Sequence, residues 1–73
     1  RVTVLADARA DADGVSLMAP HGSGARDIAE RAPGIDESAV VAASVWGDSV
    51  KHPGQEVGLT HLVREGDRLH FRA

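Results

Sequence analysis

The chain has no cysteine and no tyrosine, and only two aromatic side chains, Trp46 and Phe71, among its 73 residues. Without cysteine, neither a disulfide staple nor a thiolate metal site can hold it together. A chain this short sits near the lower end of what folds unaided. Ordinary apolar packing must therefore supply the whole core, with a net stability of only a few kcal/mol. The two rings carry disproportionate weight in that core or in a surface contact. Long apolar runs are missing too: none approaches the roughly 20 residues that cross a bilayer. There is no signal-peptide pattern. These absences point to a soluble, cytoplasmic protein with no membrane partner, and a first residue of Arg1 rather than Met reads as a piece cut from a longer chain. Residues 1–73 are taken as a single domain.

What is present is a 42% hydrophobic composition supplied mainly by Ala and Val, with a net charge of −3. The balance argues against a strongly basic nucleic-acid module. Charge is unevenly distributed, however. Residues 1–50 hold four basic and eight acidic side chains, while 51–73 hold four basic and three acidic.

The pattern of side chains predicts an order of elements. Val2 and Val4 alternate with Arg1 and Thr3, the period of a half-buried strand over Arg1 to Ala6. Asp13-Gly14 is a turn dipeptide before a second strand, Val15 to Ala19, so the two form a hairpin. Pro20-His21-Gly22-Ser23-Gly24 breaks the chain, and Ala25, Ile28, Ala29 and Ala32 then fall on one stripe of a two-turn helix. Ser23 is its expected N-cap, Asp27 suits its positive end, and Pro33-Gly34 stops it. Ala39 to Val45 is a nearly continuous run of small apolar residues, as in a strand covered on both sides. We read Val40 to Gly47 as the central strand and its reversal, with Trp46-Gly47-Asp48 as the turn and Ser49-Val50-Lys51 as the start of a return strand. Glu56 to Val63 reads as a short crossing with a helical turn. Arg64-Glu65-Gly66-Asp67 is a turn whose glycine tolerates positive φ. Arg68 to Arg72 closes as a strand, with Leu69 and Phe71 inward and Arg68, His70 and Arg72 on the other face. One short helix on one face of a mixed four- or five-stranded sheet is an α+β roll.

Motifs that would carry chemistry fail on inspection. Asp11-x-Asp13-Gly14 resembles part of a calcium loop, but the positions needing further acids hold Arg9 and Pro20. Gly22-x-Gly24 has neither the spacing nor the lysine of a phosphate-binding P-loop. His21, His52, His61 and His70 lack metal-ligand spacing, so no metal or other cofactor is expected. Ser23 has no nucleophile context. No catalytic residue is assigned, and the chain is read as non-enzymatic.

The same residues resemble the TGS domain, a ubiquitin-like β-grasp module of threonyl-tRNA synthetases, certain GTPases and the ppGpp synthetase/hydrolases. The resemblance covers roughly Asp13 to Phe71. It rests on Asp13-Gly14, on Pro20-x-Gly22-Ser23 opening a helix that holds Ile28-Ala29, and on Val41-x-Ala43-x-Val45-x-Gly47-Asp48. Leu62-Val63-x-x-Gly66-Asp67-x-Leu69-x-Phe71 completes it. Asp27-Ile28-Ala29, Pro33-Gly34-Ile35 and Val40 to Val45 look nearest to the N-terminal module of a threonyl-tRNA synthetase. Two positions depart from the family pattern. Trp46 stands where an Asn is usual in the turn, and Gly24 where an apolar helix residue is common.

The resemblance implies a β-grasp fold and a regulatory accessory domain working in translation, contributing RNA, ligand or interdomain contacts. tRNA and other domains of the parent chain are the implied partners. Lys51, Arg64, Arg68, His70 and Arg72 make up the candidate basic contact face, set against the alternative of a merely solvated edge. Trp46 is either a packed lid over the sheet edge or an exposed anchor for a partner. Two other readings stay open. One is a β-grasp sulfur carrier lacking its Gly-Gly tail; the other is a free-standing ubiquitin-like interaction module.

Overall fold

The computed structural model describes all 73 residues. Five strands form one mixed sheet: β1 (Val2–Leu5), β2 (Gly14–Leu17), β3 (Ala42–Trp46), β4 (Gln55–Val57) and β5 (Arg68–Arg72). A single helix, α1 (Ala25–Arg31), lies between β2 and β3 in the chain. The strand order is β2-β1-β5-β3-β4, with β1 and β5 parallel and every other pair antiparallel. This is the α+β arrangement that the alternation of apolar residues and the single helical stripe predict, and it is consistent with the β-grasp fold that the resemblance implies. No helix is long and apolar enough to cross a membrane.

The core is built on the face that α1 covers. Ala25, Ile28, Ala29 and Ala32 are all buried and pack with Val2, Val4, Ala43, Val45, Leu69 and Phe71. The small residues on α1 let a seven-residue helix lie close to the sheet, and packing rather than helix length stabilises it. Leu69 and Phe71 face inward as the period of β5 requires.

The strand at the centre is not the one the apolar run suggested. β5 occupies the middle of the sheet, while β3 lies one place from the edge between β5 and β4. The run also overstates its strand: Val41 is exposed, and the ladder begins at Ala42. The return strand is likewise displaced. Ser49-Val50-Lys51 belongs to the loop, and pairing with β3 resumes only at Gln55, where Val45 faces Gln55 and Ala43 faces Val57.

The start of α1 differs from the sequence reading for a tertiary reason. Gly24, extended at φ −92° and ψ 164°, is the capping residue, and Asp27 Oδ2 accepts from its amide at 2.9 Å. Gly24 therefore lies outside the helix and does not weaken it. The Ser23 hydroxyl instead donates to the Pro20 carbonyl at 2.6 Å. Two amides that Ser23 was expected to help satisfy are taken by the crossing segment: Ala25 donates to the His61 carbonyl and Arg26 to that of Leu59. Val63 donates back to Ser23, and Leu62 bridges to Gly24. The crossing contains turns but no helical turn, because its carbonyls cap another element.

Candidate functional site

β5 carries Leu69 and Phe71 toward the helix, so Arg68, His70 and Arg72 face away from it. Across the β3–β5 ladder, Trp46 faces Arg68, Ser44 faces His70 and Ala42 faces Arg72. Trp46, Arg68, His70 and Arg72 therefore share the outer face of the sheet, four of the six candidate contact residues. Lys51 is exposed in the loop between β3 and β4, and Arg64 stands in the turn before β5.

The charges on this face are committed to internal partners. Arg68 donates from Nε to the Ala10 carbonyl at 2.9 Å and from Nη2 to that of Ala12 at 2.8 Å. The guanidinium thereby folds the Ala6–Asp13 loop onto the sheet and buries Ala12. Arg72 donates to both carboxylate oxygens of Glu56, at 3.3 and 3.0 Å. That bidentate pair is exposed, so its contribution is small, but it neutralises the positive end of β5. Trp46 is half-buried and lies against Gly54: a side chain added at Gly54 would come within 3.3 Å of the indole. The indole packs on the loop at Gly54 and keeps part of its surface exposed.

Sequence reasoning missed Asp67. It reads only as the last residue of the Arg64–Asp67 turn, and Gly66 does adopt the positive φ that the turn tolerates, +85°. Yet Asp67 is fully buried. Its Oδ2 accepts from the Arg64 amide at 2.9 Å, and its Oδ1 from the Ser49 amide at 3.5 Å. Gly47 closes over the carboxylate. At φ +151°, a Cβ there would come within 2.2 Å of Oδ1, so only glycine fits. The repeated Gly-Asp pairs, Gly47-Asp48 and Gly66-Asp67, were the available signal, but nothing in their spacing marks which aspartate is buried.

The two residues whose amides Asp67 accepts from, Arg64 and Ser49, line a cleft of about 780 Å³ that runs between three loops. Pro20, His21 and Gly22 form one side, Asp48 and Ser49 another, and His61 to Glu65 the third. His61 Nε2 and Ser49 Oγ lie 2.9 Å apart, tying the crossing segment to the β3–β4 loop. Nowhere in the chain do His, Asp or Glu side chains gather in a group able to hold a metal ion.

With this geometry in place, the chain can be set beside known proteins. It is 63% identical over 27 residues to an uncharacterized GTP-binding protein of Methanocaldococcus jannaschii. The aligned stretch covers 37% of this chain and 7% of that relative, so the chain corresponds to a small part of it. No protein-family profile matches the chain, and no solved structure does.

Proposed function

We propose that this chain is a TGS-like accessory domain of a GTP-binding protein, acting by contact rather than by catalysis. The observation that carries the reading is the 63% identity over 27 residues to a GTP-binding protein, found in a chain with a β-grasp-like sheet and one helix. The TGS resemblance spans both synthetases and GTPases, and the match favours the GTPase branch. The synthetase branch draws no support from it. On this reading the nucleotide site belongs to another region of the parent protein, because this chain contains no G-x-x-x-x-G-K-S/T sequence.

The contact surface we assign is the outer sheet face around Trp46, His70 and Arg72, and its partner is protein rather than RNA. Two of its guanidiniums already have acceptors, and the whole chain is net acidic. The reading frame that encodes the segment tests the proposal. A P-loop and the rest of a GTP-binding domain are expected in the same frame, whereas synthetase editing and catalytic domains overturn it. Titration with single-stranded RNA at low salt tests the partner class: the amides of Arg68, His70 and Arg72 are expected to stay unshifted, and clear shifts there would return RNA to first place.

A further inference from the structure

The cleft between the three loops differs from the outer sheet face in one respect. Two of the charges on its lining, those of Arg64 and Asp48, have no partners. The chain has seven arginines. Six of them reach an acceptor through the side chain: Arg1 the Met18 sulfur, Arg9 Asp7, Arg26 Glu37, Arg31 the Met18 carbonyl, Arg68 two carbonyls, and Arg72 Glu56. Arg64 alone makes no side-chain hydrogen bond or ion pair, and it lines the cleft. Its backbone, by contrast, is fixed at both ends. The amide is held by buried Asp67, the carbonyl accepts from the Asp67 amide at 3.1 Å, and the preceding Val63 is buried. A five-donor planar fork on an anchored stem, opening into a concave site, is suited to receive a carboxylate or phosphate.

Asp48, on the facing loop, is the second unpartnered charge. Its carboxylate accepts no hydrogen bond and joins no ion pair, and it does not pair with Arg64 although both line the same cleft. Glu65, the other acid on the lining, is occupied by the α-amino group of Arg1. The lining also holds the apolar residues Ala19, Pro20, Leu62 and Val63, with Leu62 60% exposed although it is a large aliphatic residue. The volume falls within the range of small-molecule sites. A simple oxyanion would meet Arg64 but be repelled by Asp48. A ligand carrying both an anionic and an ammonium group satisfies both.

We infer that this cleft binds a small zwitterion of the α-amino-acid class. Arg64 receives the carboxylate, Asp48 the ammonium group, and Leu62 with Pro20 an apolar side chain. His21, which also lines the cleft, supplies a further donor for the carboxylate. The inference rests on the cleft and not on the parent protein's identity, so it stands or falls separately from the accessory-domain reading.

The experiment is an amide chemical-shift titration of the 15N-labelled chain with L-leucine, L-methionine and L-phenylalanine. Each is compared with its N-acetyl and C-terminal amide forms, and with inorganic phosphate. The zwitterions are expected to shift Gly22, Ser49, Leu62 and Arg64 with saturation. Removing either charge from the ligand is expected to weaken binding about tenfold or more, the usual effect of losing a charge-assisted hydrogen bond. Arg64→Gln and Asp48→Asn are expected to produce the same losses for the matching ligand group, with the far-side amides of β1 and β2 reporting an intact fold. Absence of saturable shifts with all three amino acids overturns the inference. So do shifts that are unchanged in Arg64→Gln, and so does equal binding of phosphate, which would mark an oxyanion site only.

Discussion

The two long reversals of the sheet are held down by neighbouring residues in opposite ways. The Ala6–Asp13 loop, joining β1 to β2, is gripped by the half-exposed Arg68 guanidinium reaching two backbone carbonyls. The loop joining β3 to β4 is gripped by the fully buried Asp67 carboxylate, which accepts from the Ser49 amide beneath Gly47. One clamp donates from the surface and the other accepts from inside. The difference sets what each can tolerate. A surface guanidinium can exchange its carbonyls for water at little cost, whereas a fully buried carboxylate has no water to replace the amides it loses. The start of β5 therefore fastens one loop from the surface and the other from the interior.

The strongest way to break the comparison is to remove the platform both clamps share. Phe71→Ala should cost about 3–5 kcal/mol in urea denaturation, enough to unfold much of so small a domain. Unchanged stability would mean that the ring is not part of the packed core. Next, Asp67→Ala should cost about 2–4 kcal/mol, since it orphans the Arg64 and Ser49 amides. Gly47→Ala should cost about 1–3 kcal/mol by driving a methyl group into the same carboxylate. The Asp67→Ala, Gly47→Ala double variant should then fall short of the sum of the two, because the clash disappears with the carboxylate. Strict additivity would separate Gly47 from the clamp.

Arg68→Ala should be milder, about 1–2 kcal/mol. Hydrogen exchange should speed up at Ala6 and Ala12 while the β3–β4 ladder stays protected. Equal loss of protection in both loops would show that the clamps are not independent. Trp46→Asn, which installs the residue usual in the related turn, should have the smallest effect, about 1 kcal/mol or less. Its readout is loss of protection at Gly54, whose amide donates to Val45 at 2.8 Å beside the indole.

Much of this architecture is legible in the residues alone. The stripe of Ala25, Ile28, Ala29 and Ala32 and the alternation in Val2–Val4 and Leu69–Phe71 report burial directly, because a helix and a strand each impose a period on what they bury. The misreadings share a cause in partners distant along the chain. Val50 looks like strand, yet the β3–β4 loop is set by a carboxylate eighteen residues on. Ser23 is a good local cap, but carbonyls from residues 59 and 61 reach the helix first. The period of β5 puts Arg68, His70 and Arg72 on the outer side of the sheet, but Lys51 and Arg64 lie in loops off that face, and the neutralisation of Arg72 depends on where β4 pairs. The cleft has no sequence signature at all. Its walls are three loops brought together only by folding.

The strand order carries a consequence for how the molecule is made. β5 is the last strand in this sequence and the middle one in the sheet, and both clamps sit at its start, Asp67 immediately before it and Arg68 as its first residue. Until it leaves the ribosome, the nascent chain holds two unjoined hairpins, each with an apolar face and a bare inner edge. The sheet is therefore completed by an insertion between them, and its exposure to wrong pairing is concentrated in the moments before β5 arrives.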